Sequence, residues 1–282
     1  MNNETANNGL LTFGGHLEVL RKMFFRIILV VLSLSVLIFC FKNETFEILL
    51  APSEYTFSTF QWIEKFLSSI GWDFHFSPYH IDLISTELSA QFMTHITTSF
   101  ILGMLLASPY ILFELFKFIT PALYDNEKKY SVLVAFIIYG LFILGLLMSY
   151  YILFPISFQF LGNYQVNERI ANTITLDSYI STFTTLTFLM GIVFQLPVIA
   201  FILGKMGLID SELLKQYRAY AFILIMVIGA IITPPDLMTL VLVTIPIYAL
   251  YEISIWVLKR FCKNTHDETI NSENDLKIDT EN

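Results

Sequence analysis

Residues 130–155 and 178–204 contain no Asp, Glu, Lys or Arg. Runs of that kind are read as bilayer-crossing helices, because about 20 residues rising 1.5 Å each span a hydrocarbon core of about 30 Å. Four further apolar runs, at about 23–41, 92–113, 219–235 and 237–258, bring the expected spans to six. Composition agrees: 55% of the 282 residues are apolar and 14% charged, against about 25% charged in an ordinary soluble domain. Mean hydropathy is +0.65. A water-soluble enzyme is excluded, and an all-α polytopic membrane protein is expected.

Orientation follows from the basic residues that flank the spans. With the N-terminus inside, thirteen Lys and Arg lie on the cytoplasmic side and three, Lys42, Lys65 and Arg169, on the other. Both termini are therefore expected to be cytoplasmic. The start of the chain lacks a basic region and a small-residue cleavage site, so the first span is expected to be retained. The organisation expected is a cytoplasmic segment 1–22, a membrane domain 23–260, and an acidic tail 261–282 that reads as disordered. That tail holds six acids against two lysines, half of the net charge of −8. No basic patch points to nucleic acid, and Cys40 and Cys262 form no metal or disulfide pattern. The fifth and sixth spans, joined by Thr233-Pro234-Pro235-Asp236, read as a short helical hairpin, around which the bilayer is expected to thin.

Catalytic chemistry has no candidate set. The sequence lacks HExxH, GxGxxG, a phosphate loop and a GxSxG elbow, and its five histidines are scattered, so no catalytic residue, metal site or cofactor is expected. Ionisable groups near the bilayer are the informative residues. Glu114 has Lys117 three residues on and reads as a local ion pair. Glu252 lies too deep to be free and should face protein or a polar cavity. His95 reads as an interhelical hydrogen-bond donor, and Gln195, an amide near mid-bilayer, wants a partner in the bundle or on another subunit. In the loop 42–90, Phe57, Phe60, Ile63, Phe66, Leu67 and Ile70 recur at helical spacing and predict an amphipathic helix on the membrane or over the bundle. An ion-coupled secondary transporter using Glu252 or Glu114 is the rival reading, weakened because no internal repeat is visible.

Four motifs carry a resemblance: His16-Leu17-Glu18-Val19-Leu20-Arg21-Lys22 before the first span, Phe118-Ile119-Thr120-Pro121-Ala122-Leu123-Tyr124 with Glu127 before the third, Phe194-Gln195-Leu196-Pro197 in the fourth, and Thr233-Pro234-Pro235-Asp236. In this order and at these positions they resemble the TatC family, the multi-spanning subunit of the twin-arginine protein translocase, from about residue 16 to 260. The resemblance implies a concave, glove-shaped bundle of six helices in the bacterial inner membrane. It implies no enzyme, but a receptor for Arg-Arg signal peptides of folded proteins, which recruits single-span partners of the TatA and TatB type, associates with further copies of itself, and works on the proton motive force.

The family pattern also implies sites. Glu127 matches a carboxylate that receives the signal arginines; a planar guanidinium offers two parallel hydrogen bonds to a carboxylate, which a lysine cannot. Phe118 matches a loop aromatic beside it, and Arg21 matches the N-terminal motif. That motif departs from His-Leu-x-Glu-Leu-Arg: Val19 stands where the acid belongs and Glu18 precedes it, about 100° away on a helix. Gln195 stands where members carry Glu; an amide keeps the hydrogen bonding and loses the charge, which disfavours a proton relay there. Thr233 lies where a partner helix is expected to meet the fifth span. Pro52, Tyr150 and Asp236 align with positions at the outer face, where a turn, an interfacial aromatic and a cap are the plain structural alternatives.

Overall fold

The computed structural model describes residues 13–71, 83–119, 131–167, 172–233 and 236–261. The first span is helix α1 (Phe13–Cys40), which continues without a break through the basic segment that precedes the apolar run. After it come α2 (Lys42–Leu50), a 3-10 turn at Ala51–Ser53 and α3 (Ser58–Ser69). The second span is α4 (Ala90–Ile119). The third is α5 (Ser131–Met148), a π-helical turn at Ser149–Leu153 and α6 (Phe154–Asn163), one continuous rod. The fourth is α7 (Leu176–Val193) and α8 (Leu196–Lys205). A six-residue α9 (Ser211–Gln216) leads to the short fifth span α10 (Arg218–Ile232), and α11 (Leu237–Phe261) is the sixth. Strands β1 (Leu83–Ile84) and β2 (Ile174–Thr175) pair in parallel, Leu83 opposite Ile174. They tie the loop before α4 to the loop before α7, so both loops cap the same end of the bundle. We call this the capped end, and the opposite one, where α1 begins and α11 finishes, the terminal end.

Five of these helices are long and apolar enough to cross a membrane. The sixth, α10, has 15 residues, about 22 Å, and is the short partner that the hairpin reading expects. Neighbours in space are α1 with α4, α5 with α7, α4 with α7, and α11 with α8 and α10. The tightest crossing is α1 on α4. A Cβ built on Gly103 would overlap Ser35 Oγ and sit 2.8 Å from the Ser35 backbone. Only a hydrogen fits there, and small residues at helix crossings in lipid permit this approach. The core lies toward the capped end, where Phe154 meets Tyr179 and Phe183 edge to face at 5.0 and 4.9 Å.

Helix α3 confirms the amphipathic period, but only its start is packed. Phe57 and Phe60 are buried, whereas Trp62, Phe66 and Ile70 are exposed. Two expectations need correction. Glu114 does not pair with Lys117: its buried carboxylate turns to α1 and meets Arg26 at 3.2 Å, while Lys117 is exposed. His95 does not act through its Nε2 as an interhelical donor. Its ring stacks on Phe39 at 4.1 Å with Phe46 edge-on, and Nε2 is buried without a partner among the described residues, because the neighbouring helices offer it ring carbons.

Gly103→Val is expected to force α1 from α4 and to cost about 1–3 kcal/mol, read as a lower Tm of the detergent-solubilised protein. Gly140→Val, where a Cβ meets nothing within 4 Å, should leave Tm nearly unchanged.

Candidate functional site

The candidate residues fall into three groups along the bundle. At the capped end, Pro52 and Tyr150 turn out to be two halves of one device. Proline has no N–H, so Pro52 cannot donate to the carbonyl four residues back, which is that of Ile48. The Tyr150 hydroxyl supplies the missing donor at 2.8 Å. Beside it, Tyr179 OH donates to the Leu49 carbonyl at 2.8 Å and Ser53 Oγ to that of Leu50 at 2.7 Å. The last three carbonyls of α2, at an end where helical donors run out, thus accept from the third span, the fourth span and the turn itself. The same logic recurs at Pro155, which leaves the Tyr151 carbonyl without its helical donor; Thr59 Oγ1 of α3 donates to it. Tyr179 and Thr59 were not singled out by the sequence; for Thr59, the proline four residues after the Tyr151 carbonyl was a signal that a donor must come from elsewhere.

Midway, the fourth span breaks. Pro197 removes the donor to the Val193 carbonyl, and Phe194 and Gln195 form a tight turn in which Gln195 N donates to Ile192 O at 2.9 Å. Gln195 is buried, and its Nε2 donates to the Ile138 carbonyl of α5 at 3.1 Å. Its Oε1 is buried with no partner among the described residues. On the capped side of α10, Thr233 Oγ1 donates to the Gly229 carbonyl at 2.9 Å and closes the helix. Asp236 Oδ1 accepts from Thr239 N at 2.7 Å and caps α11, while its Oδ2 is buried and unpartnered among the described residues.

At the terminal end, two acids are each held by a tyrosine one turn earlier and an arginine from the neighbouring helix. Glu252 Oε2 meets Arg218 of α10 at 2.7 Å and Oε1 accepts from Tyr248 OH at 3.2 Å. Glu114 Oε2 meets Arg26 of α1, and Oε1 accepts from Tyr110 OH at 3.1 Å. Arg218 and Arg26 were not read as partners from the sequence; the Tyr-x-x-x-Glu spacing on both helices was the available sign. Glu18 is exposed near the start of α1, and its carboxylate lies 2.7 Å from Lys22 Nζ. Arg21 is exposed one position before that lysine, and Val19, in the place where the family motif has its acid, is exposed as well. Glu127 lies outside the described residues, and Phe118 is described only by its place in the last turn of α4. No group of three or more metal-ligating side chains occurs among the described residues.

The profile of the family described as "Sec-independent protein translocase protein (TatC)" matches residues 15–246. This chain belongs to the TatC family. It is 33% identical to the Sec-independent protein translocase protein TatC of Blattabacterium sp. subsp. Periplaneta americana over 88% of this chain and 94% of that one. It is 37% identical to the TatC protein of Helicobacter pylori strain J99 over 67% and 75% of the two chains. A crystal structure titled as the twin arginine translocase receptor TatC superposes with a TM-score of 0.69 at 34% identity, covering 86% of this chain and 98% of that one. The multi-pass TatC fold is thus established, and the family match spans the described candidate residues except Tyr248 and Glu252.

Two outcomes follow from this geometry. Tyr150→Phe removes the donor to the Ile48 carbonyl and should cost about 0.5–1.5 kcal/mol, the net worth of an ordinary hydrogen bond. Pro52→Ala restores a helical N–H to the same carbonyl, so the double variant should lose less than the sum of the singles in a double-mutant cycle. At the other end the pair is asymmetric. Arg26→Ala strands a buried carboxylate and should cost about 3 kcal/mol, whereas Glu114→Gln leaves only a half-exposed guanidinium and should cost about 1 kcal/mol in the same thermal assay.

Proposed function

We propose that this chain is the receptor and scaffold of a twin-arginine translocase in the bacterial inner membrane, with both termini in the cytoplasm and no enzymatic activity of its own. The observation that carries this reading is the 34% identical match to nearly the whole of a solved twin-arginine translocase receptor. In it, Glu127 receives the paired guanidiniums of a signal peptide at the cytoplasmic surface, with Phe118 beside it and the exposed turn Glu18 to Lys22 of α1 near the same membrane face. Bidentate geometry makes arginine, not lysine, the residue read. The apolar part of the signal then lies along the bundle. Single-span partners of the TatA and TatB type dock on α10, whose Tyr220, Ile223, Val227 and Ile231 are exposed on a helix too short to fill the bilayer. Further copies of this chain complete the complex, and the proton motive force drives export.

Glu18 needs its own statement. Its partner Lys22 lies 2.7 Å away, so it contributes to arginine binding only if that exposed, solvent-screened pair opens. The transporter reading finds little support, since each acid it would cycle is already bound to a guanidinium.

The test is export of a folded, cofactor-containing reporter with a twin-arginine signal, in cells whose only TatC-type protein is this one, supplied with its partner subunits. Wild type should export. Glu127→Lys and a twin-lysine signal should each abolish export with membrane levels unchanged, and Glu18→Lys shows whether the displaced acid shares the site. Absence of export by wild type would overturn the reading, and saturable uptake of a small solute into vesicles holding this protein alone would favour the transporter instead.

A further inference from the structure

The space between α3 and the third span serves none of the roles above. Past its buried first turn, α3 stands off the span and leaves an apolar groove of about 620 Å³, with Trp62, Ile63, Phe66 and Leu67 on one wall and Ile152 and Ile156 on the other. One wall is a membrane span, so the groove lies at bilayer depth at the capped end. The Thr59 hydroxyl that borders it is already committed to the Tyr151 carbonyl. Water there would find almost nothing to bond, whereas hydrocarbon loses nothing by entering.

The lining narrows the occupant further. A second hollow of about 120 Å³ also borders Ile156, against Phe160, Leu242 and Ile245. Both hollows are lined almost wholly by apolar side chains, which suits a hydrocarbon chain. The rim supplies the polar end: Ser58, Trp62, Lys65 and Ser69 share one stripe of α3, and Trp62 and Lys65 are exposed. An aromatic and a lysine side by side at an apolar mouth suit the headgroup level of a bilayer.

We propose that this groove is a binding site for a glycerophospholipid of the leaflet that meets the capped end. One acyl chain lies between α3 and the third span, and Lys65 meets the phosphate. The bound lipid completes the apolar seat of α3, which the protein alone leaves half empty.

The test uses the full-length protein with Trp72→Phe and Trp256→Phe, which leaves Trp62 as the sole tryptophan. Purified in mild detergent, it is titrated with phosphatidylglycerol brominated along its acyl chains, a contact quencher of tryptophan. Quenching should saturate at about one lipid per protein, as a stoichiometric site requires. Ser58→Phe and Leu67→Asp should each raise the half-saturating concentration about tenfold, the equivalent of two methylenes lost from contact, with unchanged helix content. Lys65→Gln should raise it severalfold. Should a variant fail to fold, the wild-type curve decides: quenching that rises linearly without saturation means surrounding lipid only and overturns the proposal. Emission that no lipid quenches overturns it too, and points to a second copy of the chain in the groove.

Discussion

A backbone carbonyl that loses its helical donor to a proline needs another, most of all inside a membrane, where there is no water to turn to. This constraint organises the protein. Pro52, Pro155 and Pro197 each remove an N–H, and at the first two a hydroxyl from a distant segment closes the gap: Tyr150 on Ile48, and Thr59 on Tyr151. The breaks are consequently the places where the loop of the capped end is fastened to the spans. At the third, Gln195 is drawn into the turn and reaches across to α5. Prolines that look like defects in single helices act as ties between helices, because the partner they require comes from another part of the chain.

The terminal end is built on charge instead. Arg26 with Glu114 and Arg218 with Glu252 each join two neighbouring spans, and each acid also takes a hydroxyl from the tyrosine one turn before it. The second pair fixes the short α10 to α11 at one end, while Thr233 and Asp236 close the turn between them at the other. α10 is thus held at both ends, and its remaining face is left to lipid or to a partner.

Local physics made much of this legible in the sequence. Span number, the short fifth helix and the amphipathic period of α3 depend only on residues near one another in the chain. The family likeness was carried by ordered motifs of the same local kind. What was not legible depends on which way a helix faces. Lys117 is near enough to Glu114 on paper, since residues three apart are neighbours on a helix surface, but the glutamate points to α1 and finds an arginine 88 positions away. His95 read as a hydrogen-bond donor from its type, and the rings of Phe39 and Phe46 that surround it were invisible until α1 and α2 were in place. Pro52 and Tyr150 were each noted singly; their joint purpose appears only when α2 meets the third span.

Gln195 carries a consequence for the energetics of transport. Moving one elementary charge across a membrane potential of 100 mV is worth about 2.3 kcal/mol, and an amide carries none. The hydrogen bond to Ile138 and the open acceptor Oε1 therefore have the same strength in a polarised and a depolarised membrane, and at every physiological pH. In this protein the voltage finds no ionisable handle at the kink of the fourth span. Any work it performs on the bundle must be exerted through charged groups nearer the two membrane faces, or on the passenger itself.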